Sequence, residues 1–179
     1  NYISAIGYEK NTEQFKNLWP ANIHLIGKDI LRFHAIYWPA MLLSAGLPLP
    51  KTIYVHGFIT VEGEKMSKTI GNIIDPFALV EKYGVDPVRY FLLREIPSTE
   101  DGDFSYKKLE ERHNGDLANG LGNLVQRVAT LVETKMDNEL IYNSALVEEE
   151  VKNKSAEAGD MVKKYIESFS LHESLSSLW

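Results

Sequence analysis

From residue 24 onward, short apolar runs alternate with stretches of helical period. His24-Leu25-Ile26 ends at Gly27, and from Lys28 to Ser44 the positions Ile30, Phe33, His34, Tyr37 and Met41 recur at threes and fours. This predicts a strand, a glycine turn and a helix. Gly46, Pro48 and Pro50 stop the helix, and Thr52 to Val61 is rich in β-branched and aromatic residues, a β stretch with a kink at Gly57. A strand–helix–strand unit follows, which implies a parallel sheet with a ligand crevice at the carboxyl ends of its strands. Residues before Pro20 mix apolar and polar side chains without clear period and read mostly as loop.

Glu62-Gly63-Glu64 reads as a turn, and Lys65-Met66-Ser67-Lys68-Thr69 as a polar loop with two cations three residues apart. Asp75-Pro76 and Asp86-Pro87 each offer a capping carboxylate before a proline, and Gly84 closes the first of these two helices. Residues 96–103 form a polar, acidic break. Beyond it Leu117, Leu121, Leu124, Val128 and Leu131 step by four and three, the stripe of a long amphipathic helix whose other face carries Asp116, Asn119, Asn123 and Arg127. Another helix is expected from about Ala145 to Phe169. Ser170 and Glu173 have capping-box spacing for a last one, which would leave Trp179 unpartnered.

Composition narrows the class. The 179 residues include no cysteine, which excludes a disulfide scaffold or a cysteine zinc knuckle within the segment and leaves secretion without support. The longest apolar stretch, residues 36–50, is broken by prolines and glycine and is too short to span a bilayer. No basic, hydrophobic leader and no initiator Met stand at the start, so the chain reads as an internal piece of something longer. Residues 1–98 carry 10 Lys+Arg against 9 Asp+Glu, and residues 99–179 carry 9 against 16. An acidic second half disfavours bulk electrostatic binding of nucleic acid, so any RNA contact there must rest on a few placed side chains.

Two lysines in a surface loop are by composition alone a solvated feature. Following a strand of an α/β sheet, such a loop can instead deliver mobile positive charge to a polyphosphate. No Gly-rich phosphate loop is present, so side chains on a flexible arm would hold the phosphates. Ile30 and His34, four apart, share a helical face, where a lone histidine on an apolar stripe is ordinarily a core residue. Asp29, at a helix start, is equally well read as an acid complementing the dipole.

The run from His24 through Gly27, Lys28, Asp29 and Arg32 to His34, together with His56-Gly57-Phe58 and Lys65-Met66-Ser67-Lys68-Thr69, resembles the methionyl-tRNA synthetase family. The lysine loop is similar to the second signature of class I aminoacyl-tRNA synthetases, with Thr69 where serine is more usual. The likeness continues through Asp86-Pro87-Val88-Arg89-Tyr90-Phe91, Asp116-Leu117-Ala118-Asn119 and Asn123 to Arg127, covering most of residues 1–135.

The resemblance implies an α/β fold followed by an all-α one: the second half of a Rossmann-type parallel sheet, then the first helices of an anticodon-binding bundle. It implies a catalytic region with the lysine loop over 1–74, a connecting region over 75–103 and the start of the anticodon-binding domain over 104–179. The implied reaction joins methionine to ATP, with Mg2+, and passes the acyl group to tRNA(Met) in the cytoplasm. Lys65 and Lys68 would stabilise charge on the α-phosphate and the leaving pyrophosphate without proton transfer. Gly27, Asp29, Ile59, Met66, Ser67 and Lys68 would bind ATP. Gly27 would let the backbone come close, and Met66 and Ile59 would offer backbone groups to the adenine. Tyr2, Ile30 and His34 would line the methionine pocket. Asn123 and Arg127 would read the first anticodon base as an unstacked edge, with a solvated polar face as the bland alternative.

The family's first class I signature, of His-x-Gly-His type, is absent from these residues, so the segment alone is expected to form negligible adenylate. No metal site is expected within it. Zinc in the parent and oligomeric state stay open. Two rivals also stay open: a sister synthetase for an aliphatic amino acid, and a non-catalytic tRNA-binding module of the same fold.

Overall fold

In the first of two compact units, Asn1–Phe58, strand β1 (His24–Gly27) pairs in parallel with β2 (Ile53–His56), Gly27 opposite His56. The computed structural model describes residues 1–136 and 143–179, and its second unit is Ile59–Trp179.

The crossover between β1 and β2 is helical but not uniform. A 3-10 turn (Lys28–Ile30) leads into a π-helical stretch (Phe33–Tyr37) and then α3 (Trp38–Ser44). The wide turn has a local cause: Pro39 has no N–H to give the preceding turn, and just before it the Trp38 N–H reaches five residues back to the Phe33 carbonyl. The amino-terminal stretch is helical rather than loop, with α1 (Tyr2–Ala5) and α2 (Thr12–Leu18). Asn11 caps α2, its side chain accepting the Gln14 N–H at 3.1 Å. Ile3, Ile6 and Phe15 then pack on the buried Trp19, Ala21 and Leu42, so tertiary packing makes helices where the period was weak.

The expected single β stretch from Thr52 to Val61 is two strands in two sheets. Between them lie Gly57 and Phe58, and β3 (Ile59–Val61) opens a mixed sheet ordered β4–β3–β5. Its antiparallel partner β4 (Glu64–Lys65) follows a two-residue turn in which Glu62 and Gly63 both have positive φ, 53° and 80°. That turn matches the twist of a tight hairpin. The third strand, β5 (Gly102–Phe104), lies parallel to β3 inside the stretch read from sequence as a polar break. Gly102 is buried, and the Ile96 side chain occupies the space a Cβ would need.

Helices α4 (Pro76–Tyr83) and α5 (Val85–Glu95) join at Gly84, whose φ of 87° ends one and starts the other. Asp75 caps α4 as expected, accepting the Phe77 N–H at 2.9 Å. Asp86 is a first-turn acid instead of the cap of α5, because Gly84 already turns the chain. Next come α6 (Tyr106–Arg112), a π-helical stretch (His113–Gly122) and α7 (Asn123–Lys135), then a 3-10 turn (Ser144–Leu146), α8 (Glu149–Glu167) and α9 (Leu171–Ser176). Ser170 stands at the cap of α9 without forming the expected side-chain bond. Trp179 is not unpartnered: its Nε1–H donates to the Tyr90 hydroxyl at 2.8 Å. Leu79, Val88, Phe91, Phe104 and Leu109 form the core of this unit, with Phe91 edge-on to Phe104. Burying each such side chain stabilises by about 1.5–3 kcal/mol.

The Asp103 carboxylate ties the sheet together. It accepts from the Gly63 N–H at 2.7 Å, the Thr60 hydroxyl at 2.8 Å and the Lys108 ammonium at 3.0 Å. The Gly63 amide first, then Lys108 and Thr60, hold its pKa below the ordinary carboxylate value. A depressed folded-state pKa contributes stability that is full above the unfolded value of about 3.9 and is lost as pH falls through the folded one. Asp103→Asn should therefore lower Tm by about 2–4 °C at pH 7, equivalent to ~1 kcal/mol. Melts followed by circular dichroism should show that deficit shrinking below about pH 4. An equal deficit at pH 3 and pH 7 would remove the carboxylate from this role.

Candidate functional site

Strand β1 and the helix behind it open a cavity of about 660 Å³ whose walls include Tyr2, His24, Phe33, His34, Trp38 and Met41. Mostly apolar and aromatic walls with a few placed polar atoms suit a small amphipathic ligand. His24 was no candidate on sequence grounds, yet it is central. Trp38 Nε1–H donates to His24 Nε2 at 3.2 Å, Tyr2 meets the imidazole edge-on at 5.5 Å, and the His34 ring lies 6.4 Å away. Burial, and then His34, push the His24 pKa below the ordinary value. Both effects favour the neutral ring that can accept the Trp38 bond. The sequence signal was there in principle: His24 opens a strand whose Ile26 is buried and whose Leu25 faces out.

Of the three residues expected around methionine, the structure brings Tyr2 and His34 to this cavity and does not put Ile30 in its wall. Phe33, His34, Tyr37, Trp38 and Met41 reach the cavity from the helical crossover, and the Ile30 side chain, at the end of the 3-10 turn, is exposed. The Ile30 carbonyl accepts from His34 Nδ1 at 3.0 Å, which requires hydrogen on that nitrogen.

In the same unit, Gly27 has an ordinary extended conformation. A Cβ there would stand 2.8 Å from the Asp29 carboxylate, which folds back over the strand end. The two expected nucleotide-binding residues of this unit are thus adjacent at the carboxyl end of β1, where parallel sheets ordinarily receive ligands.

In the second unit the lysine loop leaves the β4 hairpin strand. It is not a limp arm. The Ser67 N–H donates to Asn72 Oδ1 at 2.8 Å, and Asn72 Nδ2 donates to the Lys65 carbonyl at 3.2 Å. Inside that bracket the Thr69 N–H donates to Ser67 Oγ at 3.2 Å and the Gly71 N–H to the Ser67 carbonyl at 2.9 Å. Met66 and Ser67 are half-buried. Lys68 is exposed, and its ammonium has no ion pair among the described residues. Ile59, also expected to face a nucleotide, begins β3 and is partly exposed. Asn72 was no candidate on sequence grounds, since its role depends on bonds across the loop to Lys65 and Ser67.

Asn123 and Arg127 come together on α7 with Gln126 and Thr130 around a shallow recess of about 410 Å³. Gln126 and Thr130 were no candidates, though the i+3 and i+7 spacing puts them on that stripe. Asp116 leaves the stripe and turns inward: it accepts from the Tyr90 hydroxyl at 2.7 Å and from Arg112 at 3.4 Å, with Arg94 at 3.9 Å. Burial, and then this carboxylate, raise the Tyr90 pKa, so the hydroxyl stays a donor. The Glu95 carboxylate, 2.7 Å away, holds Arg112 charged. Among the described residues no group of three or more His, Asp or Glu side chains is arranged to hold a metal ion, and no helix is long and apolar enough to cross a membrane.

The chain is 47% identical over its full length to the methionine–tRNA ligase of Caldanaerobacter subterraneus subsp. tengcongensis, covering 28% of that protein. It is 48% identical to that of Thermotoga maritima, covering 29% of it. The fold matches a Mycobacterium tuberculosis methionyl-tRNA synthetase in complex with methionyl-adenylate, with a TM-score of 0.88 at 44% identity, over all of this chain and 36% of that one. The chain thus spans about a third of the length of these relatives. With residues 1–129 matched by the model of the tRNA synthetases class I (M), the chain belongs to that family.

Proposed function

We propose that the protein carrying this segment is a methionine–tRNA ligase, acting in the cytoplasm. The observation that carries the reading is the aromatic cavity at β1, in a chain whose fold matches a synthetase described with methionyl-adenylate. In the first step a methionine carboxylate oxygen forms a bond to the α-phosphorus of ATP. The bond to the bridging oxygen breaks, and pyrophosphate leaves with the electron pair. In the second, a ribose hydroxyl at the tRNA 3′ end forms an ester bond to the acyl carbon, the acyl carbon–phosphate oxygen bond breaks, and AMP leaves with that electron pair while the hydroxyl proton passes to the AMP phosphate. Nothing is oxidised or reduced.

Within this scheme Tyr2, Ile30 and His34, joined by His24 and Trp38, enclose the methionine side chain, and the Ile30 carbonyl holds the His34 ring. An apolar pocket separates ligands that differ by one methylene by only about 1–3 kcal/mol, so wall shape and ring contacts make the choice. Gly27, Asp29, Ile59, Met66 and Ser67 bind ATP. Mg2+ arrives on the ATP phosphates, which supply the oxygen ligands such a hard cation prefers. Lys68, assisted by Lys65, places charge where negative charge grows on the phosphates. Residues 1–74 carry the catalytic part, 75–103 connect, and 104–179 begin an anticodon-binding bundle whose α7 presents Asn123 and Arg127 to the first anticodon base.

Three outcomes are expected of the full-length protein. Lys68→Ala should slow methionine-dependent pyrophosphate exchange by about 10²–10³-fold, the size of one lost charge-stabilising donor, while tRNA binding stays unchanged. An undiminished exchange rate would favour a non-catalytic module. Arg127→Ala, or Asn123→Ala, should lower kcat/KM for tRNA about ten- to a hundredfold and leave exchange unaffected. Equal charging of the native tRNA and one with an altered first anticodon base would sink the anticodon assignment. The methionine KM should rise several-fold as pH falls below the ordinary histidine value of about 6.5. There His24, which faces His34, Tyr2 and Trp38, takes a proton and loses the Trp38 bond. A methionine KM flat from pH 8 to pH 5 would take His24 out of the pocket.

A further inference from the structure

A lysine at the tip of an unrestrained loop would have to give up its conformational freedom each time it met a phosphate, at about 1–2 kcal/mol for every backbone residue fixed. The loop here is already closed. Asn72 spans its base, accepting the Ser67 N–H through Oδ1 and giving an Nδ2 hydrogen to the Lys65 carbonyl. Gly71, at a φ of 78°, turns the chain so that Asn72 returns across the loop, and no other atom lies within 4 Å of where a Cβ on that glycine would stand. The tip between the two ends of the bracket carries Lys68, exposed and without an ion pair among the described residues.

We propose that Asn72 is a positioning residue for adenylate formation: its amide holds residues 65–72 as one unit, so that Lys68 is delivered to the phosphates in a fixed geometry. The inference rests on the function proposed above and deepens it. The chemistry of the side chain is specific. Asp offers two acceptors and no donor for the Lys65 carbonyl, Ser is too short to span both contacts, and Gln adds a methylene that displaces the amide. Asn72 does not touch substrate in this account; it acts through Lys68.

A double-mutant cycle on the full-length protein separates this from a general effect on folding. Asn72→Ala should lower kcat for methionine-dependent pyrophosphate exchange about ten- to a hundredfold, the range expected when a catalytic group is misplaced by about 1 Å. The methionine KM should stay close to that of the unaltered protein. In a Lys68→Ala background the same change should cost nothing further, because the group it positions is gone. Asn72→Asp, which keeps the acceptor for Ser67 and loses the donor for Lys65, should fall between, and it replaces Asn72→Ala in the cycle if that variant melts below the assay temperature. Undiminished exchange by the Asn72 variants, or losses that multiply with Lys68→Ala, would overturn the proposal while leaving the function intact. Undiminished exchange by Lys68→Ala alone would overturn both.

Discussion

The hairpin from which the lysine loop springs is anchored by the bonds made by Asp103. That carboxylate gathers a hydroxyl from β3, an amide from the hairpin turn and an ammonium from α6, three donors from separate stretches of chain. Two short strands and a two-residue turn make a weak hairpin alone, since isolated hairpins are marginal in water. Adding β5 on the far side of β3 and fixing the turn amide gives the hairpin a third strand and an anchor. The loop that follows then starts from a defined place.

The first unit solves a different problem. A parallel pair needs a crossover, and that crossover must also furnish a pocket. Pro39 serves both ends. It breaks the regular hydrogen-bond ladder, the turn before it widens, and Phe33, His34, Tyr37, Trp38 and Met41 from this stretch wall the cavity. The ordering of His24 by Trp38 follows, because the wide turn places the indole N–H against the imidazole at the start of β1.

What could be read from the residues alone divides along physical lines. The β1–helix–β2 unit, the Asp75 cap and the Gly84 break were legible because each depends on local backbone chemistry. The strand β5 was not, since its three residues sit among acids and glycine and gain their pairing only from β3. The helices before Pro20 were missed because their stability comes from packing on Trp19 and Leu42 and not from period. Asn123 and Arg127 were found together because four-residue spacing survives in α7, which is regular.

Spacing also tells which face of a helix is apolar without telling what covers it. The stripe through Leu121, Leu124, Val128 and Leu131 is where the period put it, and each of these side chains is about half exposed or more. The polar face was read less well, because Asp116 sits in the π-helical stretch and faces Tyr90, Arg94 and Arg112. An acid drawn into that ion cluster ties the start of the helical run that continues into α7 to α5 and α6. Asn123 and Arg127 lie beyond it in the regular α7, where the four-residue spacing keeps the amide and the guanidinium on one side of the helix, around a common recess.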